Sequence, residues 1–432
     1  MNLYLFNDND SAATYGVGTY LKELTHALRG TAINIHIIHL HSTRLEFEIV
    51  KLNHIEYWYV PEVRNHNTFT GTIQRVENYF QNVIYILRLY IKETNNLIFH
   101  FNFNLCHELS KGLKENFNCK TVSTIHFLKW QLELYGNLSL FHSIKSKPEC
   151  KRNSIEQLLN TTDEYESLFF QEVDHVIALS MHTKKQVVNE YKINSDRISI
   201  IPNGLKKTCQ VSKTIRNSLR QKWHIPDSEF LILFVGRLHI TKGLSFLIEA
   251  FHKVLEKIPN CRLIIVGSGS FEQYIQASKN ICAKITFTGF LEKIELYEIY
   301  QIVDIGILPS LTEQCSYVVI EMMMNGLPII TTSAWGLAEM TEDSISSLHV
   351  SLIEHPDKTT IDTDLLAEKI LFLLEHPDEA KRLGRNARKC YEERYSGKVF
   401  RNNMLKFYES ILINSTFAHS KSSLSKMFAN NG

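Results

Sequence analysis

Apolar residues run almost unbroken through FLILFVG (230–236), RLIIVGSG (262–269), KITFTGF (284–290), IVDIGILPS (302–310) and GLPIITT (326–332). Between the first two, GLSFLIEAFHKVLEKIP spaces its apolar positions at helical intervals and stops at Pro259. Near-continuous apolar strands alternating with amphipathic helices predict a parallel sheet buried on both faces. The first half has the same rhythm. MNLYLF, INIHIIHL, NLIFHFNF, KTVSTIHF, HVIALS and ISIIPNG read as strands, and VGTYLKELTHALRG and HTKKQVVNEY as helices. A polar and aromatic insertion, KWQLELYGNLSLFHSIKSKPECKRNSIEQLLN (129–160), interrupts it.

The pattern predicts an α/β protein of two doubly wound, Rossmann-like domains. The first is expected over 1–207 and the second over 208–395, with a helix over 396–414 crossing back to the first and a flexible tail over 415–432. The 432 residues exceed one ordinary core. Lys plus Arg number 47 against 46 Asp plus Glu, a balance that points away from nucleic acid. No signal-peptide pattern and no stretch of about 18 apolar residues occurs, so the chain is expected in the cytoplasm, with membrane-surface contact and oligomeric state left open. The eight cysteines show no CxxC pair and are expected to be reduced and mostly buried.

Ligands of open parallel sheets bind beyond the carboxyl ends of the strands, so chemistry is sought in the loops there. After FLILFVG, the loop GRLHITKG offers Arg237 and Lys242 with Gly236 and Gly243. Cations, close backbone approach and a following helix N-terminus suit a diphosphate. Gly267 opens a second glycine-rich turn. After IVDIGILPS comes LTEQCSYVVIEMMMNG, in which Glu313 is expected in a loop. Glu321 is expected about two turns into a helix starting near Ser316 and burying Val318, Val319, Met322 and Met323. A carboxylate in such surroundings needs a partner. His36, His39 and His41 recur along an apolar strand and are expected to be strand residues rather than metal ligands.

GRL with KG, then IVGSG, TGF, two glutamates with seven residues between, NGLPII and GLAEM, in this order over 230–340, resemble the C-terminal domain of family 4 retaining glycosyltransferases, which have the GT-B fold. The resemblance implies two Rossmann-like domains facing across a cleft and a hexose donor linked to UDP or GDP. The acceptor would be a glycan, peptide or small molecule. No cofactor beyond the donor and no metal is implied.

It further implies that Arg237 and Lys242 neutralise the leaving diphosphate, that Glu313 lies by the sugar hydroxyls, and that the backbone near Ser316 approaches sugar or phosphate. Glu321 would accept from the ribose and Glu339 would lie near the nucleotide. Gly16 and Gly18 of YGVGTYL would let the first loop approach donor or acceptor, and His126 of STIHF would face the reacting sugar. Gln314, Cys315 and Ser316 depart from the family pattern, as do Phe127 after the histidine and Lys206 after PNG. FNDNDSAATYGVGTYL is also similar to a subgroup encoded beside radical peptide-maturation enzymes in Bacteroidetes, implying a small ribosomal peptide as acceptor. Two alternatives stand beside this reading: a catalytically degenerate GT-B subunit acting as partner or chaperone, and a nicotinamide-dependent enzyme, although no GxGxxG follows the first strand.

Overall fold

A computed structural model describes residues 1–8, 16–62, 72–104, 106–207 and 213–412, with the side chains of 72–76 and 213–215 left aside. The expected tail at 415–432, Cys209 and most of FNDNDSAATY fall outside the described residues. Two compact units emerge. The first joins Met1–His126, Glu164–Ile201 and the chain from Gly397; the second joins Phe127–Asp163 and Pro202–Ser396. This differs from the boundary expected at 207/208. The insertion, first-half in sequence, folds with the second unit because its buried side chains find their partners there.

In the first unit, eight strands lie in the order β3-β4-β2-β1-β5-β6-β7-β8. They are β1 (Asn2–Asn7), β2 (Asn34–Ser42), β3 (Glu48–Leu52), β4 (Ile55–Pro61), β5 (Leu97–Phe101), β6 (Cys119–Ile125), β7 (His175–Ala178) and β8 (Ile198–Ile200). All pairs are parallel except β3 with β4, an antiparallel edge that the apolar runs did not predict. Central β1 and β5 are buried along their whole length, as a sheet covered on both faces requires. The helix Gly16–Leu28 follows β1 and buries Tyr20, Leu21, Leu24 and Leu28, one apolar stripe. A helix over 397–412 clusters with this unit, where Arg401 donates to the Arg29 carbonyl at 3.2 Å.

In the second unit, six parallel strands lie in the order β11-β10-β9-β12-β13-β14. They are β9 (Phe230–Val235), β10 (Cys261–Val266), β11 (Ile285–Gly289), β12 (Ile305–Leu308), β13 (Ile329–Thr332) and β14 (Leu348–Val350). The helix after β9, Leu244–Lys257, buries Leu244, Leu247, Ile248, Phe251 and Val254. Chain order runs outward from β9 in one direction and from β12 in the other. The loops after these two neighbours therefore part around a crevice, the topological switch point of a doubly wound sheet.

Of the seven described cysteines, Cys106, Cys261 and Cys315 are buried, whereas Cys150 and Cys282 are exposed. Cys119 and Cys390 are half-buried, so the expected burial is complete for three of the seven, and the two exposed thiols fall on polar connecting segments. His36 and His39 are strand residues held by aromatic neighbours: His36 stacks on Tyr4 at 4.3 Å and His39 on Tyr59 at 5.1 Å. Strand pairing also brings Glu56 of β4 within 3.0 Å of His36 Nδ1, a carboxylate that sequence spacing did not reveal.

Candidate functional site

The loops at the switch point of the second sheet bring together residues 71 positions apart. Lys242 Nζ and a Glu313 carboxylate oxygen form an ion pair, and Ser310 Oγ donates to the same oxygen at 3.1 Å. Lys242 ends a single 3₁₀ turn, Ile240–Lys242, and Gly243 follows with φ 68° and caps the next helix. A Cβ at Gly243 would stand 1.8 Å from the Pro309 carbonyl oxygen. The two loops thus touch through backbone, and the small residue lets Lys242 reach Glu313.

Arg237 is exposed on the same loop, before this turn. Between the two cations stands His239, which the motif reading passed over. Its Nδ1 lies 2.9 Å from Thr241 Oγ1, and its pKa is lowered first by desolvation and then by Arg237 and Lys242. A third positive charge is disfavoured there, so the imidazole is held neutral near pH 7.

The other expected residues of this unit have more varied surroundings. Gly236 donates to the Val266 carbonyl at 3.0 Å, and the place of a Cβ on Gly267 lies 1.8 Å from Gly236 O, so these turns abut each other. Ser316 caps the helix Tyr317–Asn325, its hydroxyl accepting from Val319 N. Glu321 stands five residues after the cap, roughly 1.4 turns at 3.6 residues per turn rather than two. That helix buries Val319, Met322 and Met323 as expected, but Val318 is only half-buried, and Ile320 and Glu321 take inward positions.

The partner that Glu321 requires is Tyr300, whose hydroxyl donates to Oε2 at 2.9 Å in a buried setting. Burial and the adjacent carboxylate hold the Tyr300 phenol well above its ordinary pKa. Glu339 is half-buried on the helix Trp335–Met340, where its carbonyl accepts from Arg394 at 3.0 Å. Asn203 of PNG was also missed. Its Nδ2 donates to Cys315 O at 2.7 Å, tying the linker to the Glu313 loop.

Three expected residues lie in the first unit. Gly16 and Gly18 stand in the first turn of the helix Gly16–Leu28, Gly18 as the helical reading of VGTYLKELTHALRG expected and Gly16 one residue before it, and a Cβ on Gly16 would meet nothing within 4 Å. His126 follows β6, with Nε2 3.2 Å from Asn102 Oδ1 and the ring edge-on to Tyr20 at 4.6 Å. Nearby, buried His100 meets Tyr408 O–H and Thr124 Oγ1, both at 2.7 Å. Burial lowers both histidines to about 3. Unfolding restores an ordinary value of about 6.5, so the unfolded chain takes up protons first as pH falls below 6.5. Their stabilising contribution is complete above that pH and is lost progressively down to about 3. Each should cost about 1.4 kcal/mol of stability per pH unit in that window. Urea unfolding between pH 7 and 5 should show this slope, and His100→Gln should flatten it; equal slopes in both proteins would contradict the assignment.

The matches to known families divide the chain near residue 208, the boundary expected from the sequence, and do not follow the two compact units. Residues 14–208 match the sequence model of Glycosyltransferase Family 4, and residues 215–390 that of Glycosyl transferases group 1. The chain belongs to these glycosyltransferases. An uncharacterized glycosyltransferase of Methanocaldococcus jannaschii is 30% identical over 181 residues, 40% of this chain and 46% of the relative. The D-inositol 3-phosphate glycosyltransferase of Nocardia farcinica is 24% identical over 269 residues, 60% of this chain and 57% of the relative. The matches thus span about half the length of these curated relatives.

Among solved structures, sucrose-phosphate synthase from Thermosynechococcus elongatus aligns with TM-score 0.75 at 19% identity, covering 96% of this chain and 100% of its own. HepE of Anabaena, in complex with UDP and glucose, aligns with TM-score 0.68 at 16% identity, covering 95% and 100%. At such identities the likeness establishes the fold, which is GT-B with two Rossmann-like domains. Among the described residues, no helix is long and apolar enough to cross a membrane.

Proposed function

We propose that the chain is a retaining glycosyltransferase that moves a hexose from a UDP- or GDP-linked donor to an acceptor hydroxyl. The observation that carries this reading is the Lys242–Glu313 pair at the switch point, with Arg237 on the same loop. Two cations suit a diphosphate, and an acceptor-only carboxylate suits sugar hydroxyls. When donor binds, the β-phosphate would take over Lys242 while Glu313 turns to the hexose. As the anomeric C–O bond breaks, negative charge grows on the departing diphosphate and Arg237 and Lys242 stabilise it. The acceptor oxygen bonds to the anomeric carbon from the same face, and a phosphate oxygen takes its proton. His126, neutral at pH 7, is assigned to contact with the reacting sugar rather than to charge neutralisation.

Glu321, held in direction by Tyr300, is assigned to the ribose hydroxyls. The acceptor is a glycan, a small molecule or, following the likeness of the first loop, a peptide. Thermal-shift titration with UDP, GDP, ADP and their sugars tests the donor class. A stabilising shift with UDP or GDP is expected. Glu321→Gln should weaken that binding roughly tenfold, since a hydrogen bond to a charged group contributes about 1.5–3 kcal/mol. No shift with any nucleotide would overturn the reading, and equal affinity in the variant would overturn the ribose assignment.

A further inference from the structure

Residues 127–163 fold with the second unit, and they meet the loop that carries Glu313. On the short helix Lys129–Glu133, Trp130 and Gln131 are buried, and Trp130 stacks on Phe141 with ring centroids 4.4 Å apart. That stack anchors the helix. Gln131 Oε1 accepts from Gln314 Nε2, the side chain next to Glu313. The two amides are 1% and 5% exposed, so this pair is shielded from water.

Further contacts fasten the segment to neighbouring parts of the second unit. Trp335 Nε1 donates to Gly136 O at 3.3 Å, and Asn137 Nδ2 donates to His355 O and Lys358 O at 2.8 and 3.0 Å. Gly336 N donates to Glu313 O at 3.1 Å. Glu133, on the same helix as Gln131, acts electrostatically on His239 of the opposite loop.

We propose that Gln131 is a positioning residue for the donor sugar: by holding Gln314, it sets the Glu313 loop and so decides which hexose configuration the site accepts. The proposal rests on the glycosyltransferase reading. An amide both donates and accepts, so a buried Gln314 has few satisfied orientations, and Gln131 selects one of them. A polar group left buried without its partner drives local rearrangement. A shift of about 1 Å in a catalytic group can cost about a hundredfold in rate.

The experiment measures sugar release from UDP- and GDP-hexoses differing at single hydroxyls, with calorimetric binding of the free nucleoside diphosphate alongside, on the full chain. Gln131→Leu should lower kcat/KM for the preferred sugar about tenfold or more and reduce the preference between epimers. Nucleotide affinity should stay within about twofold. Gln131→Glu, which keeps an acceptor oxygen facing Gln314, should retain the preference. The double variant Gln131→Leu with Gln314→Leu should regain thermal stability without regaining the preference, an outcome that a purely structural role would not give.

A wild-type epimer ratio in Gln131→Leu, equal loss of nucleotide and nucleotide-sugar binding, or a restored preference in the double variant would each overturn the proposal. Should Gln131→Leu not fold, Gln131→Asn is read against the same outcomes. A wild-type chain that releases sugar from no nucleotide donor would overturn the glycosyltransferase reading instead.

Discussion

Lys242→Ala is expected to lower sugar release from the donor by more than about tenfold. The lysine is partly buried and sits at the carboxyl end of β9, where its cation already neutralises Glu313. In the proposed reaction it exchanges that carboxylate for a diphosphate whose charge increases as the glycosidic bond breaks. A charge-assisted contact contributes about 1.5–3 kcal/mol, and each 1.36 kcal/mol at the transition state changes rate about tenfold. Because charge is greater in the transition state than in the bound donor, kcat should fall more than affinity for the nucleotide. Glu313 would retain Ser310 but lose its cation, adding to the loss. Steady-state assay with the nucleotide sugar giving the largest thermal shift checks this. Near-normal turnover would remove the diphosphate assignment.

Gly243→Ala should be among the most destabilising single substitutions in the second unit. Two effects combine at this position. Its φ of 68° is left-handed, which costs a residue bearing Cβ roughly 1 kcal/mol or more. The new methyl would also stand 1.8 Å from Pro309 O and 2.9 Å from its carbonyl carbon, atoms of backbone that cannot swing aside. A total of about 2–4 kcal/mol is expected, with the Lys242 and Glu313 loops pushed apart. Urea unfolding measures the first effect and donor turnover the second. A variant within about 0.5 kcal/mol of wild type would show that the loops do not meet through this residue. In the unfolding measurement, Gly16→Ala, facing open space, is the matched control for introducing a methyl.

The strands of the second sheet were legible because their signal is local. FLILFV, RLIIV and IGIL are buried on both faces, and such strands must be apolar along their length. The helix at Leu244–Lys257 announced itself by period, and Glu313 by its place after a strand. Less visible were β3 and β4, an edge hairpin with an exposed and polar outer strand. Val318 was misjudged because apolar identity does not say which side of a helix faces the sheet.

From the sequence alone followed the class of fold, the ordered motifs of a family 4 glycosyltransferase, and the residue types able to serve a diphosphate and hydroxyls. Those properties reside in neighbouring residues and in the alternation of strand and helix. Only the tertiary structure decided that Lys242 meets Glu313, that Tyr300 directs Glu321, and that the insertion at 127–163 leaves its sequence neighbours to hold Gln314. These pairs lie 71, 21 and, for Gln131 with Gln314, 183 positions apart. The first of these meetings depends on strand order and on backbone close approach at Gly243. Residue spacing carries no record of either, since both arise when separate elements share one sheet.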